Sequence, residues 1–389
     1  MKLLLICARV LPEKSNNANL AWKLIPHLRQ THELQVLSIC SAAPSNGTLC
    51  TELDGVKVWF APAFQISRAK RLRNRAVSAL ADRGGLGDAA QALEAAECLR
   101  QIRKSFPYDA VLTTVEPYAG ALTLLRVPRR IPCAVYLMDP TIYDRPFAPR
   151  VRYRARSLGA ILSRARAVAT TPFIRAALAE HGYGQYDGRV VPVGFPMIGA
   201  QSATRRREDD GRVHLLFCGW LYSDIRSPKY FLELLSRLDG RFSVTFMGRE
   251  CEKLTERFDV PPKAELITLP QQPYETALRA MADADILINI GNSVPVHMPS
   301  KTLEYINTGK PFVNFHKLDD CPTLYYTKRY PLCLNLSERD PDLDAAAARF
   351  TEFCLQNKGK TVDRAAIEAE YADCTPAYIA QKILDAIGA

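Results

Sequence analysis

Two successive series of short apolar segments constrain the fold of this chain more than any other feature. The segments are rich in aliphatic and β-branched residues and are apolar almost throughout, which is typical of strands in a parallel sheet covered on both faces. Stretches with helical periodicity separate them, so the pattern predicts doubly wound α/β domains. The first series begins at Leu3, Leu34, Val56, Ala110, Cys133 and Ala167. The second begins at Val213, Ser243, Glu265, Asp285, Pro311 and Leu332.

The chain of 389 residues is too long for one core and suits two domains. A polar segment without periodicity, residues 196–211, is predicted to be a linker. It separates a first Rossmann-like domain, residues 1–195, from a second, residues 212–374. Residues 375–389 are predicted to form a C-terminal helix that packs back on the first domain. Two such domains imply a cleft between them, with ligands at the carboxyl ends of the strands.

Positive charge is concentrated in the first predicted domain. Residues 1–195 carry 27 lysines and arginines against 14 acidic residues, whereas the rest of the chain carries 24 against 27. Such an excess favours an anionic partner, unless it only solvates the surface. Residues 66–77 are strongly basic, and the apolar side that would suit an interfacial helix is formed by Ile66, Leu72, Val77 and Leu80. No nucleic-acid-binding motif accompanies the charge, so we expect an anionic membrane surface as a partner and no nucleic acid.

The compartment and the absence of cofactors are inferred from what the sequence lacks. No apolar run approaches the roughly 18 residues of a membrane span, and Arg9 cuts the first apolar segment too early for a signal peptide. The eleven cysteines are scattered without a C-x-x-C pair, which indicates reduced thiols. The six histidines show no metal-ligand spacing. We therefore expect a cytoplasmic protein, peripheral at the inner face of the plasma membrane, without metal or cofactor.

The strongest local motif is PSKTLEYINTGKPFV, residues 299–313. Pro299 is predicted to open a helix that Gly309 ends. The spacing directs Leu303 and Ile306 of this helix toward the core.

The opposite face of this helix carries Ser300, Lys301 and Glu304. A helix N-terminus beside a lysine binds anions. A carboxylate one turn further in can accept hydrogen bonds from two vicinal hydroxyls, as a nucleotide ribose presents. The alternative is that Glu304 only complements the helix dipole.

This motif, the preceding DADILINIGNS and the segment LLFCGWLYSDIRSP resemble bacterial GT-B glycosyltransferases of the family-4-like group. Weaker similarities in the right order extend over nearly the whole chain: MKLLLICARVLPE, VEPYAGALTLL, CAVYLMDP and RVVPVGFP. The resemblance implies two Rossmann-like domains facing a cleft. It also implies metal-independent transfer of a hexose-type sugar, with retention, from a UDP- or GDP-linked donor in the second domain. The acceptor expected in the basic first domain is a lipid-linked or polysaccharide-type molecule of the cell envelope.

The resemblance also implies how the donor is bound. The family has two glutamates seven residues apart, the second on the ribose and the first on the transferred sugar. Glu304 matches the second, but Val296 stands at the place of the first. Backbone amides of residues 292–295, or His297, could replace the missing acid. The identity of the donor sugar stays open for this reason.

The family further places an arginine and a lysine against the donor diphosphate. Trp220 stands at the usual arginine position, and Arg226 lies near the lysine position, with Lys229 competing for the same role. Together with Lys301, Arg226 would stabilise the charge that grows on the leaving group, so we expect it to be catalytic. The remaining donor-binding candidates are Gly219, Gly248, Arg249, Ser300 and Thr302.

Acceptor-side candidates lie in the first domain. Asp139 ends an apolar strand, where a carboxylate needs a partner. The family has an acid or histidine at this turn, so we expect Asp139 to be catalytic, the alternative being a cap or a D-P turn. Glu116 occupies another turn that matches the family. Three asparagines stand where the family's first loop has glycines, and asparagine tolerates positive φ: Asn16, Asn17 and Asn19.

Two functions of other classes stay open. A nucleotide-sugar epimerase on the same fold would need an acid/base pair on the bound sugar and no acceptor. A catalytically silent GT-B-like scaffold is the other, because Val296 replaces an acid of the family pattern.

Overall fold

Two separate parallel sheets form the framework of the chain, as the two series of apolar segments predicted. The computed structural model describes residues 1–11, 14–39, 50–61, 69, 72–73, 76, 87–115, 118–139, 157–199, 209–256 and 264–388. The chain divides into unit 1, Met1–Pro196 with Asp373–Ala389, and unit 2, Met197–Ala372. Most of the predicted linker and most of the basic segment 66–77 lie outside the described residues.

Eight strands form the sheet of unit 1. They are β1 (Lys2–Cys7), β2 (Glu33–Ile39), β3 (Cys50–Leu53), β4 (Val56–Ala61), β5 (Ala110–Thr114), β6 (Cys133–Leu137), β7 (Ala167–Thr170) and β8 (Val190–Pro192). Their order is β3-β4-β2-β1-β5-β6-β7-β8. All neighbours are parallel except β3 and β4, which are antiparallel. The central strands are buried on both faces, in agreement with their apolar sequences.

Helices cover this sheet. Before unit 2, those with bounds given at both ends are α1 (Asn16–Leu28), α2 (Gly87–Ser105), α3 (Tyr118–Thr123) and α4 (Pro172–Leu178). Residues 157–164 are also helical. Shorter helical segments are the π-helical turn Ala179–Tyr183 and the 3₁₀ turns Leu124–Arg126 and Gly184–Arg189.

Six strands form the sheet of unit 2. They are β9 (Val213–Cys218), β10 (Phe242–Met247), β11 (Glu265–Leu269), β12 (Ile286–Ile290), β13 (Phe312–His316) and β14 (Cys333–Ser337). Their order is β11-β10-β9-β12-β13-β14, and every neighbouring pair is parallel. The order of the strands reverses between β9 and β12, so the carboxyl ends of these two strands border the crevice where such sheets bind ligands.

The helices of unit 2 bury an aromatic core against this sheet. They are α5 (Lys229–Leu235), α6 (Cys251–Thr255), α7 (Tyr274–Asp283), α8 (Lys301–Thr308), α9 (Pro322–Thr327), α10 (Leu343–Asn357) and α11 (Arg364–Glu370). The ring of Phe231 on α5 lies 5.0 Å from Phe315 on β13 and 6.0 Å from Phe350 on α10. This cluster fixes α5 and α10 on one face of the sheet.

The last helix, α12 (Pro376–Ile387), returns to unit 1. Thr375 caps it by accepting a hydrogen bond from the Tyr378 amide, and Pro376 occupies its first turn. Its apolar face packs against β6, β7, β8 and α1. Across the described ranges, no helix combines the length and the apolar character that crossing a membrane requires.

Candidate functional site

The guanidinium of Arg226 lies at the point of unit 2 where the strand order reverses. Its Nε donates a hydrogen bond to Asn292 Oδ1 at 2.9 Å, and its Nη1 donates one to the Trp220 carbonyl oxygen at 3.1 Å. Both acceptors are neutral, and within the described part of the chain no carboxylate pairs with Arg226. Burial lowers the pKa of Arg226, although an arginine stays protonated at neutral pH. A partly buried cation with neutral partners only is a site that favours an anion.

Two loops hold this guanidinium in place. Asn292, almost fully buried after β12, also donates from Nδ2 to the His297 carbonyl oxygen at 2.7 Å. Ser293 donates from its amide to the Ile225 carbonyl oxygen at 2.8 Å and from its hydroxyl to the Asp224 carbonyl oxygen at 3.1 Å. The loop after β12 is therefore tied to the loop after β9, and Arg226 is fixed between them.

Helix α8 follows the loop after β12. Gly309 ends the helix in the left-handed conformation, with φ 75°, as predicted. Its beginning differs from the prediction, because Pro299 precedes the helix and Ser300 takes the N-cap position. Pro299 contributes a carbonyl oxygen that accepts the Thr302 amide at 3.1 Å. Thr302 itself is fully buried, and its hydroxyl has no hydrogen-bond partner among the described residues.

Lys301 and Glu304 share one face of α8, as the spacing predicted. Their ammonium and carboxylate form an ion pair, with side chains 22% and 14% exposed. Burial lowers and the Glu304 carboxylate raises the pKa of Lys301, with a net increase. The Lys301 ammonium also lies 5.9 Å from the centre of the Tyr274 ring. The helix N-terminus thus carries a second cation, Lys301. Its partner Glu304 pairs through one carboxylate oxygen and has a second oxygen that can accept a hydrogen bond from a ligand.

Exposed aromatic rings lie beside these charges, and the sequence pattern had not singled them out as candidates. Trp220 and Tyr274 are 42% and 52% exposed. Trp220 stacks on Tyr222 with 4.8 Å between ring centroids, and the Arg249 guanidinium lies 5.0 Å from the Trp220 ring. Arg249 also bonds to the side chain of Gln271. Planar exposed rings offer a stacking surface to a nucleobase. An aromatic residue directly after a central strand was the signal available in the sequence.

Close backbone packing explains the glycine at position 248, which lies against Gly219. Gly248 has φ 143°, and a Cβ there would lie 1.7 Å from the Gly219 carbonyl oxygen. The Gly219 amide donates to the Met247 carbonyl oxygen at 2.9 Å, which brings the two chain segments together. Gly248 is therefore required by the close approach of the loops after β9 and β10, whereas a Cβ on Gly219 would make only ordinary contacts with Phe217 and Arg226.

The other donor-side candidates lie at the edge of this arrangement. Lys229 is the first residue of α5, is exposed and lies 3.8 Å from Glu233, so it competes poorly with Arg226 for a central position. Val296, at the place of the missing family acid, has φ 57°. A β-branched residue in this region is strained, and such strain clusters at functional sites.

In unit 1 the structure brings two of the acceptor-side candidates together. Asn17 Nδ2 donates a hydrogen bond to Asp139 Oδ2 at 3.1 Å. The prediction of an asparagine-rich loop with positive φ is wrong. Ser15 caps α1 by accepting a hydrogen bond from the Ala18 amide at 3.3 Å, so the helix begins at Asn16 and includes all three asparagines, Asn16, Asn17 and Asn19. Glu116 lies outside the residues that the structure describes.

The fold is similar to that of several solved structures. HepE of Anabaena in complex with UDP-glucose matches with a TM-score of 0.63 at 13% identity, over 100% of this chain and 99% of that one. The lipopolysaccharide outer core galactosyltransferase WaaB matches with a TM-score of 0.62 at 12% identity, over 100% and 99%. At these identities the likeness concerns the fold, which is the GT-B fold that the sequence resemblance implied.

An enzyme of another class shares this fold. The UDP-GlcNAc 2-epimerase from Neisseria meningitidis, solved with UDP-GlcNAc bound, matches with a TM-score of 0.55 at 12% identity over 99% of each chain. No family model matches the sequence, and no curated protein matches it. The function must therefore be argued from the site.

Proposed function

We propose that the protein is a glycosyltransferase that moves a hexose-type sugar from a UDP- or GDP-linked donor to an acceptor, with retention of configuration. The observation that carries this proposal is the Arg226 guanidinium, held between β9 and β12 by neutral groups alone. A diphosphate supplies the negative charge that this cation lacks. The GT-B fold supports the assignment, since the similar structures named above include enzymes solved with UDP-glucose and UDP-GlcNAc.

The surrounding residues suit the other parts of such a donor. Lys301 lies at the N-terminus of α8 and adds positive charge there for phosphate oxygens. Glu304 would accept the ribose hydroxyls, and Trp220 or Tyr274 would stack on the base. Negative charge grows on the leaving diphosphate as its bond to the sugar breaks, and Arg226 and Lys301 would stabilise it. We therefore propose that the reaction is metal-independent.

The acceptor is proposed to bind unit 1. Asp139 lies at the carboxyl end of β6 and is oriented by the amide of Asn17, so a polar group faces the end of the sheet where ligands bind. A lipid-linked or polysaccharide-type acceptor fits the positive charge of this part of the chain.

The test is incubation with a panel of UDP- and GDP-sugars, with and without membrane extract as a source of acceptor. Release of nucleoside diphosphate that depends on acceptor is expected. Conversion of the sugar without nucleotide release would favour the epimerase. Nucleotide binding without turnover of any donor would favour the silent scaffold, and each of these results would contradict the proposal.

Replacing Glu304 with glutamine is expected to lower the affinity for UDP or GDP by about ten- to a hundredfold. The neutral amide loses charge-assisted hydrogen bonds to the ribose, each worth roughly 1.5–3 kcal/mol. The variant also weakens the ion pair with Lys301, so its free energy of unfolding should fall by about 1 kcal/mol. Calorimetric titration and a melting curve of the same variant measure both effects.

The matched control is Glu368→Gln on α11, which breaks the exposed pair of Glu368 with Arg364. This variant should bind nucleotide like the wild type. A Glu304→Gln protein with unchanged affinity and a lowered melting temperature would show that Glu304 serves only its helix.

We further propose a cytoplasmic protein that associates with the inner face of the plasma membrane. The support is the charge excess of residues 1–195, and each cation near an anionic surface contributes about 1 kcal/mol. Co-sedimentation is expected with anionic vesicles and not with neutral ones, and it should weaken as salt rises. Equal recovery on both kinds of vesicle, or on neither, would exclude this attachment.

A further inference from the structure

A second pair of charges lies at the carboxyl edge of the unit 2 sheet. The last residues of β13 and β14, His316 and Ser337, are paired in register. The ladder continues beyond them, because the Glu338 amide donates to the His316 carbonyl oxygen at 2.9 Å. Lys317 Nζ lies 3.7 Å from Glu338 Oε2, with side chains only 16% and 12% exposed. Removing the two charges of such a pair from water costs free energy, so fold stability alone does not explain why the pair is present.

The pair is within electrostatic range of Arg226. Burial lowers the pKa of Lys317, the Glu338 carboxylate counteracts this effect, and the charge of Arg226 lowers the pKa further. The register explains the proximity. Ile290 pairs with Phe315, and the Gly291 amide donates to the Phe315 carbonyl oxygen at 2.7 Å. The chain then reaches Asn292, the partner of Arg226, two residues beyond the end of β12, and Lys317 directly follows the end of the neighbouring strand β13.

This group holds two partly buried cations, Arg226 and Lys317, and the Glu338 carboxylate pairs with Lys317 only. Burial raises the pKa of Glu338 to about 7, and the charge of Lys317 opposes this rise. Arg226 has neutral hydrogen-bond partners, and its charge repels that of Lys317. An anion of two or more charges would attract both cations and offset the cost of burying them.

We propose that Lys317 is a second phosphate-binding cation beside Arg226, with Glu338 as its internal counter-ion. The ligand chemistry is a diphosphate, either free or as part of a nucleotide. The inference rests on the proposed function for placing that diphosphate at Arg226, and it extends the anion site from β9 and β12 to the ends of β13 and β14.

A purely structural role of the pair predicts a different pattern of variants. If the two side chains only stabilise the fold, Lys317→Met and Glu338→Gln should act alike, since each leaves one partner without the other. If Lys317 binds phosphate, the two changes should act in opposite directions. Loss of the lysine removes a contact with the ligand. Loss of the acid leaves the lysine without its counter-ion, so the lysine attracts the anion more strongly.

The experiment is calorimetric titration of the full chain with inorganic pyrophosphate. Lys317→Met is expected to weaken binding about tenfold, and Glu338→Gln to strengthen it about two- to fivefold. The double variant Lys317→Met/Glu338→Gln leaves no unpaired buried charge, and it should still bind about tenfold more weakly if the single variant fails to fold. Lys358→Met is the matched control. Lys358 is a partly exposed lysine paired with Asp209 and bonded to the Arg212 carbonyl oxygen before β9, at the opposite edge of the sheet.

The inference is overturned if the wild type does not bind pyrophosphate, or if both variants lacking Lys317 bind it as Lys358→Met does. A parallel titration with UDP and GDP shows whether this inference fails or the proposed function fails. Nucleotides that bind no more tightly than pyrophosphate would refute the nucleotide site and leave the Lys317 assignment intact. Tight nucleotide binding that is insensitive to Lys317→Met would refute this inference and leave the proposed function intact.

Discussion

Replacement of Arg226 by methionine is expected to lower the affinity for UDP or GDP by about a hundredfold. A guanidinium makes up to two charge-assisted hydrogen bonds to a diphosphate, each worth roughly 1.5–3 kcal/mol, and a hundredfold corresponds to about 2.8 kcal/mol. The melting temperature should change little, because removing a buried cation without a carboxylate partner offsets the hydrogen bonds lost to Asn292 and Trp220. Calorimetric titration with each nucleotide measures the loss.

Two further variants sharpen this experiment. Arg226→Lys keeps the charge but cannot bridge Asn292 and Trp220 at once. Its affinity for UDP or GDP should therefore lie between that of the wild type and that of Arg226→Met. Arg241→Met removes an exposed arginine paired with Asp239 before β10, at the other edge of the sheet, and should bind like the wild type. Equal affinities of Arg226→Met and Arg241→Met would place the diphosphate elsewhere.

Replacement of Gly248 by alanine is expected to lower the free energy of unfolding by about 3–5 kcal/mol. The new Cβ would lie 1.7 Å from the Gly219 carbonyl oxygen and 2.7 Å from its carbonyl carbon, which are backbone atoms that cannot move as a side chain does. The φ of 143° adds conformational strain for any residue with a Cβ. Denaturant unfolding followed by circular dichroism provides the measurement.

The control separates the collision from the strain. Gly359 also has a positive φ, 77°, but a Cβ there would meet no atom within 4 Å. Gly359→Ala should therefore lower the free energy of unfolding by only about 1–2 kcal/mol. If both alanine variants lose the same stability, the close approach of Gly248 to Gly219 is not the reason for the glycine.

The sheets could be predicted because their strands are buried on both faces. β5 and β6 are apolar at nearly every position, and such runs identify a parallel sheet without further information. Strand β3 was missed because its sequence, Cys-Thr-Glu-Leu, is half exposed at the sheet edge and carries no apolar run. It forms because β4 is its neighbour, and tertiary pairing of this kind leaves little trace in the local sequence.

The site was only partly predictable, because side-chain partners are set by the fold. The spacing placed Lys301 and Glu304 on one face of a helix but could not show that they pair with each other. Lys317 and Glu338 lie 21 residues apart and meet only because β13 and β14 are adjacent and in register. The loop predicted around Asn17 is a helix, since Ser15 supplies a cap that outweighs the preference of asparagine for turns.

The return of α12 to unit 1 has a consequence for the order in which the protein is made. Unit 2 is one continuous stretch, but unit 1 is made of two separate parts of the chain, which are joined by the packing of α12 and by the hydrogen bond from the Gly194 amide to the Asp373 carbonyl oxygen at 2.8 Å. The ribosome therefore completes unit 2 before it makes the residues that cover β6, β7 and β8. Until Ile379 and Ile383 arrive, that apolar surface is open on the nascent chain. The unit that is synthesised first is thus the last to finish folding, and its uncovered apolar surface is prone to aggregate until then.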